Sequence, residues 1–168
     1  MANETTYPGT DFFTGLMEEH ARIEVRLKAL DQVALQVSRG EVDAAALGVI
    51  ADTLRFFATE GARHQAHEEL TLFPRLRPLA QFKQILSAMD FQHRMNDDTG
   101  RELAACVERS APGRELARLA VRFAEMHRCH LLSEERALFP LASSLLAREV
   151  QAEMGREMQD RVGGTTPA

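Results

Sequence analysis

The sequence predicts an all-α protein, an up-down-up-down four-helix bundle with a short C-terminal helical extension. Three observations carry that expectation. Apolar residues advance by alternating steps of three and four through four long segments, the spacing of a helix face that packs against neighbours. Clusters of Gly, Pro and Ser separate the segments. One pattern, H-x-x-x-E-E-x-x-L-F-P, is written twice, at positions 64–74 and 130–140, so the second half of the chain restates the first.

The first segment carries the stripe Phe13, Leu16, His20, Ile23, Leu27, Leu30, Ala34, Val37, in which His20 is the one strongly polar member, and Ser38-Arg39-Gly40 stops it. Asp43 is placed as the N-cap of the second, whose stripe runs Leu47, Ile50, Leu54, Phe57, Gly61, His64, Glu68. Pro74 and Pro78 are expected to break or turn the chain, because proline lacks an N–H and disfavours helix in the residue before it. The third stripe is Leu79, Phe82, Leu86, Met89, His93, Asn96, Gly100, Leu103, Val107, again with one histidine among apolar residues. Beyond the break at Pro112-Gly113 come Leu116, Ala120, Phe123, His127, His130, Glu134, Ala137 and Leu141. Residues 141–161 read as a shorter capping helix, 1–10 as a flexible leader, 11–161 as one bundle domain and 162–168 as a disordered tail.

At 168 residues the chain is long enough to bury a core without structural metal, so a metal would serve chemistry. A net charge of −5 without any Lys/Arg-rich run argues against nucleic acid or an anionic membrane as partner. No apolar stretch approaches the roughly 20 residues of a membrane span, and no charged-then-apolar leader precedes Asp11. The expected setting is cytoplasmic. Cys106 and Cys129 lack C-x-x-C spacing and receive no role.

Residues four apart on a helix are offset by only about 40°, so His64 with Glu68, and His130 with Glu134, each project an imidazole and a carboxylate in one direction. His20 and His93 interrupt the other two seams. Burying these groups in one core costs several kcal/mol per unpaired charge, a cost that a divalent or trivalent cation would compensate. Imidazole with carboxylate, and no thiolate, suits iron, manganese or zinc. Glu69 and Glu135 sit about 100° around from their neighbours and are taken as solvated. His67 is placed beside the site or on the surface, Glu24 and Asp97 are read as surface acids or partners of an imidazole, and the Leu-Phe-Pro triplets are assigned to packing and helix exit.

His20, His64-x-x-x-Glu68, His93 and His130-x-x-x-Glu134 together resemble the hemerythrin-like, or HHE cation-binding, domain over roughly residues 11–141. The resemblance implies a non-heme pair of iron ions bridged by an oxo or hydroxo group, with manganese or zinc ranking behind iron. His20, His64, His93 and His130 would be terminal ligands, and Glu68 and Glu134 would bridge. It further implies a small diatomic ligand or peroxide, bound for oxygen or redox response, detoxification or iron handling. A catalase-like peroxide-disproportionating enzyme and an iron donor for iron–sulfur repair are the alternatives. Oxygen-carrying members draw a fifth histidine from the third helix, where this chain has Met89 and Asp97. The best candidate here is His127, on the fourth seam within about 20° of Glu134. Gly61 and Gly100 fall on seam positions where glycine fills nothing, and are expected to line a gap leading to an open coordination position.

Overall fold

The computed structural model describes residues 11–162. The leader at 1–10 and the last six residues of the tail lie outside the described residues. Among the described residues the protein is all helical, with five helices: Phe12–Ser38, residues 44–76, Lys83–Glu108, residues 113–145 and Arg148–Val162. Among the described residues no helix is long and apolar enough to cross a membrane.

The starts and stops follow from local chemistry. Asp43 caps the second helix, its carboxylate accepting from the Ala46 N–H at 2.7 Å, which satisfies one of the donors a helix leaves free at its N-terminus. The first helix ends with Gly40 at φ +92°, a left-handed conformation that suits glycine. Gly113 opens the fourth helix hard against the end of the first, where a Cβ would collide with the Val37 carbonyl. The first helix packs on the second and fourth, and the third packs on the fourth.

The chain turns at Arg77 and Pro78 as expected, but the prolines of the two Leu-Phe-Pro triplets behave differently. The second helix passes through Pro74 to Leu76, and the fourth passes through Pro140 to Leu145. Each is preceded by one wide π turn, Glu68–Leu72 and Glu134–Leu138. A proline ring clashes with the carbonyl four residues back and offers no N–H to it. Widening the preceding turn removes that clash, and the helix continues. A third π turn, Phe57–Gly61, has no counterpart in the fourth helix.

The core is two apolar clusters with a polar layer between them. One holds Ile23, Leu27, Leu30, Ile50, Leu103 and Phe123. The other holds Phe12, Leu16, Phe73, Phe82, Leu86 and Phe139, and is completed by Met154 and Met158 of the fifth helix. Arg75 fixes that last helix through Glu157 at 2.6 Å, and Thr71 donates to the same carboxylate at 3.0 Å. On the first, second and third helices the buried acids and histidines, with Asn96, fall between the two clusters in sequence: Glu19 and His20, His64, His67 and Glu68, His93 and Asn96.

Candidate metal centre

Six of the seven residues singled out as ligands converge in this layer. His20, His64, Glu68 and Glu134 form one group, and Glu68, His93, His130 and Glu134 form a second, with one ligating atom of each residue within 4.8 Å of the others in its group. The two carboxylates belong to both groups. His127 belongs to neither. It sits among rings, its centroid 4.3 Å from that of Phe57 and 4.2 Å from that of Phe123, with Nδ1 donating to the Phe123 carbonyl at 2.9 Å.

The carboxylates spread their oxygens to different partners. Glu68 Oε1 faces His64 Nε2 at 3.2 Å while its Oε2 faces His93 Nε2 at 3.2 Å. Glu134 Oε2 faces His20 Nε2 at 3.3 Å while its Oε1 faces His130 Nε2 at 3.3 Å. None of these approaches has the alignment of a hydrogen bond. Both oxygens of Glu68, both of Glu134, and the Nε2 atoms of His20 and His64 are buried without a hydrogen-bond partner. Buried polar atoms are ordinarily paired, and six orphans aimed at one another make a donor set that a cation satisfies. The residues therefore fit the metal pair that the sequence pattern implies.

Each imidazole is held from behind through Nδ1. His20 donates to Glu135 at 2.8 Å, His93 to Glu69 at 2.7 Å, His64 to Glu19 at 3.0 Å and His130 to Gln92 at 3.1 Å. The arrangement keeps the internal repeat. The acid following each seam glutamate holds the lone histidine of another helix, and the residue preceding each lone histidine holds the histidine of the repeated motif. Committing Nδ1 leaves Nε2 to face the centre, which fixes the tautomer a ligand needs. Phe73 stacks on His93 with planes 13° apart, and Phe139 lies against His20 with centroids 5.4 Å apart. The Leu-Phe-Pro phenylalanines thus steady the rings as well as filling the core.

Glu69 and Glu135 are not solvated bystanders, as their angular position suggested. A position 100° off the seam of one helix faces an adjoining helix, and there each acid meets a histidine. Glu19 and Gln92 carried no sequence signal of their own, although their shared place before His20 and His93 was available in the repeat. His67 is fully buried and donates through Nδ1 to Glu19 at 3.2 Å. Glu24 pairs with Arg128 at 3.1 Å and so does not hold His20.

Charge in the cluster is unevenly shared. Burial by itself raises the Glu68 carboxyl, but the His64 charge and the close imidazoles carry it well below the usual carboxylate range. Burial and the neighbouring Glu68 charge push Glu134 well above that range. Burial opposes protonation of His64, yet Glu68 and Glu19 raise it to about 10. Burial lowers His130 to about 3. Glu19 is lowered to about 2, because its bonds to His64 and His67 outweigh burial. Replacing Glu19 with alanine removes one partner of a buried charged group and strands two imidazole donors, so denaturant unfolding should show a loss of about 3–5 kcal/mol. Glutamine at 19 keeps an acceptor oxygen and should lose less. Equal stability of the three proteins would show that Glu19 holds neither ring.

Residues 11–142 match the family model described as hemerythrin HHE cation binding domain. Comparison with curated proteins and with solved structures finds no match.

Proposed function

The chain belongs to the hemerythrin HHE cation-binding family, and from that premise we propose that it is a non-heme di-iron protein that binds dioxygen, nitric oxide or peroxide. The observation that supports this best is the pair of buried glutamates shared between two His/Glu groups, each with its two oxygens turned toward different histidines. In this reading Glu68 and Glu134 would be shared by two iron ions, one held with His20 and His64 and the other with His93 and His130. Bound iron would supply two one-electron redox centres and a position open to an exogenous ligand. The chain's own contribution is to orient four imidazoles, hold their Nδ1 protons on Glu135, Glu19, Glu69 and Gln92, and keep water from the bridging oxygens. His127 is assigned to the approach to the centre and not to coordination. The short links between the first four helices favour antiparallel neighbours, in keeping with an up-down-up-down order.

Metal analysis of protein purified without chelator is expected to give close to two irons per chain. Its optical spectrum should show the near-ultraviolet absorption of a bridged ferric pair, altered by azide. Protein that takes up no metal after iron supplementation would end this reading.

A further inference from the structure

A pocket of about 440 Å³ reaches the candidate metal centre from one side. His64, His93 and His130 line its inner end, and His20 does not. Phe57, Phe123, Leu54, Ile23, Ala104 and Leu131 give it apolar walls. Gly61 and Gly100 both line it, as the sequence expected. A Cβ at Gly61 would come within 2.9 Å of the Phe57 ring, so this glycine is what lets that ring lie along the wall.

The volume is the informative quantity. A diatomic molecule is close in size to water, whose share of the liquid is about 30 Å³. The pocket falls instead in the range of sites for organic ligands, about 300–1,000 Å³, which are apolar with a few placed polar groups. Gln65, Asp97 and Arg101 also line the pocket, and two further polar residues bring acceptor atoms to it. Asn96 is buried, and its Oδ1 has no partner. His127 spends Nδ1–H on the Phe123 carbonyl, which can only accept, so its Nε2 carries a lone pair. Burial also keeps this imidazole neutral near pH 7, lowering it to about 4. Both side chains line the pocket as acceptors, and an acceptor selects a guest with an O–H or N–H.

We propose that the pocket takes an organic hydroperoxide, its alkyl or aryl body against Phe57 and Phe123 and its O–OH end toward the metal-centre histidines, with His127 and Asn96 as acceptors for its proton. The assignment rests on the di-iron reading above. A single reaction of such a guest with the ferrous protein is a two-electron reduction, and each further round needs an external one-electron donor to return both ions to the ferrous state. The O–O bond breaks, the organic part leaves as an alcohol and the other oxygen as water, two protons come from solvent, and two electrons come from the ferrous pair, one from each ion.

The test separates the pocket from the metal. Calorimetric titration of the purified protein with 2-phenyl-2-propanol, the alcohol of cumene hydroperoxide, should show saturable one-to-one binding. Gly100→Leu, at a site where a Cβ meets only the Phe123 ring at 3.4 Å, should weaken that binding at least tenfold, as should Ala104→Leu, which fills the pocket independently. His127→Leu should weaken it while leaving metal content at the wild-type level. In stopped-flow oxidation of the ferrous protein, Gly100→Leu should slow cumene hydroperoxide at least tenfold more than it slows hydrogen peroxide. Absence of alcohol binding in protein that carries two metals overturns the inference alone. Equal slowing of both peroxides, or of neither, also overturns it. Protein that never binds metal overturns the di-iron reading, a failure recognised by elemental analysis before any peroxide is added.

Discussion

Replacing Glu68 with alanine is expected to empty both metal positions, taking the metal content of the chain from two ions to none. Each of its oxygens faces a histidine of a different group, 3.2 Å from His64 and 3.2 Å from His93, so its loss deprives both positions of a charged ligand at once. Glu134 is shared in the same way, and Glu134→Ala should behave alike. His20→Ala touches one group only and should lose one ion. Glu69→Ala and Glu135→Ala remove acceptors that orient His93 and His20 but leave every donor to the metal in place. Changes at such supporting residues typically cost 10–100-fold in affinity, so these two should still load at high iron and fail at low iron. Glu68→Gln keeps the volume and removes the charge, and should follow the alanine variant if charge decides. Elemental analysis of the series, with circular dichroism to verify that the helices persist, gives the outcome. Two ions retained by Glu68→Ala would refute the bridging role.

That series also marks where sequence reading reached its limit. The four seams were legible because each helix repeats every 3.6 residues, and a lone histidine in a stripe such as Leu16, His20, Ile23 stands out against its neighbours. The motif residues were legible because His64 and Glu68, four apart, must point together. What a single helix cannot reveal is which neighbour stands at a given angle from its seam. Glu69 and Glu135 looked solvated on their own helices, yet a histidine of another helix occupies that angle, and their half-exposed carboxylates turn inward to it. Glu19 was invisible for the same reason, since its value lies in His64 and His67 on another helix. The π turns escaped because the proline rule describes a helix that cannot widen. Here Glu68–Leu72 and Glu134–Leu138 widen, and the chain runs on. His127 lay on the expected seam, but it belongs to neither His/Glu group and packs between the Phe57 and Phe123 rings.

Loading of ferrous iron is expected to release protons and to weaken steeply with acid. In the metal-free protein, protons compete with the metal for three of the proposed ligands, His64, Glu134 and His93, whose hold on a proton their surroundings raise. His64 is raised to about 10 and is therefore an imidazolium, whose Nε2 has no lone pair to give. Glu134 is pushed well above the usual carboxylate range by burial and by Glu68, so protonation there competes with the metal at a higher pH than for an ordinary carboxylate. His130, lowered to about 3, is already neutral and contributes nothing. The sign follows directly: the free protein binds more protons than the loaded one, so falling pH favours the free form. The His64 proton alone should make apparent affinity drop about tenfold per pH unit below neutrality, and protonation of Glu134 and His93 should steepen the fall. The cluster also explains why only a cation allows both carboxylates to ionise together. Without one, the Glu68 charge is matched by His64, and a second buried charge beside it has no partner. Anaerobic titration in weak buffer with a pH indicator measures the release, and metal affinities at pH 6 and 7 measure the slope. Binding that is independent of pH, with no protons released, would mean that His64 and Glu134 do not coordinate the metal.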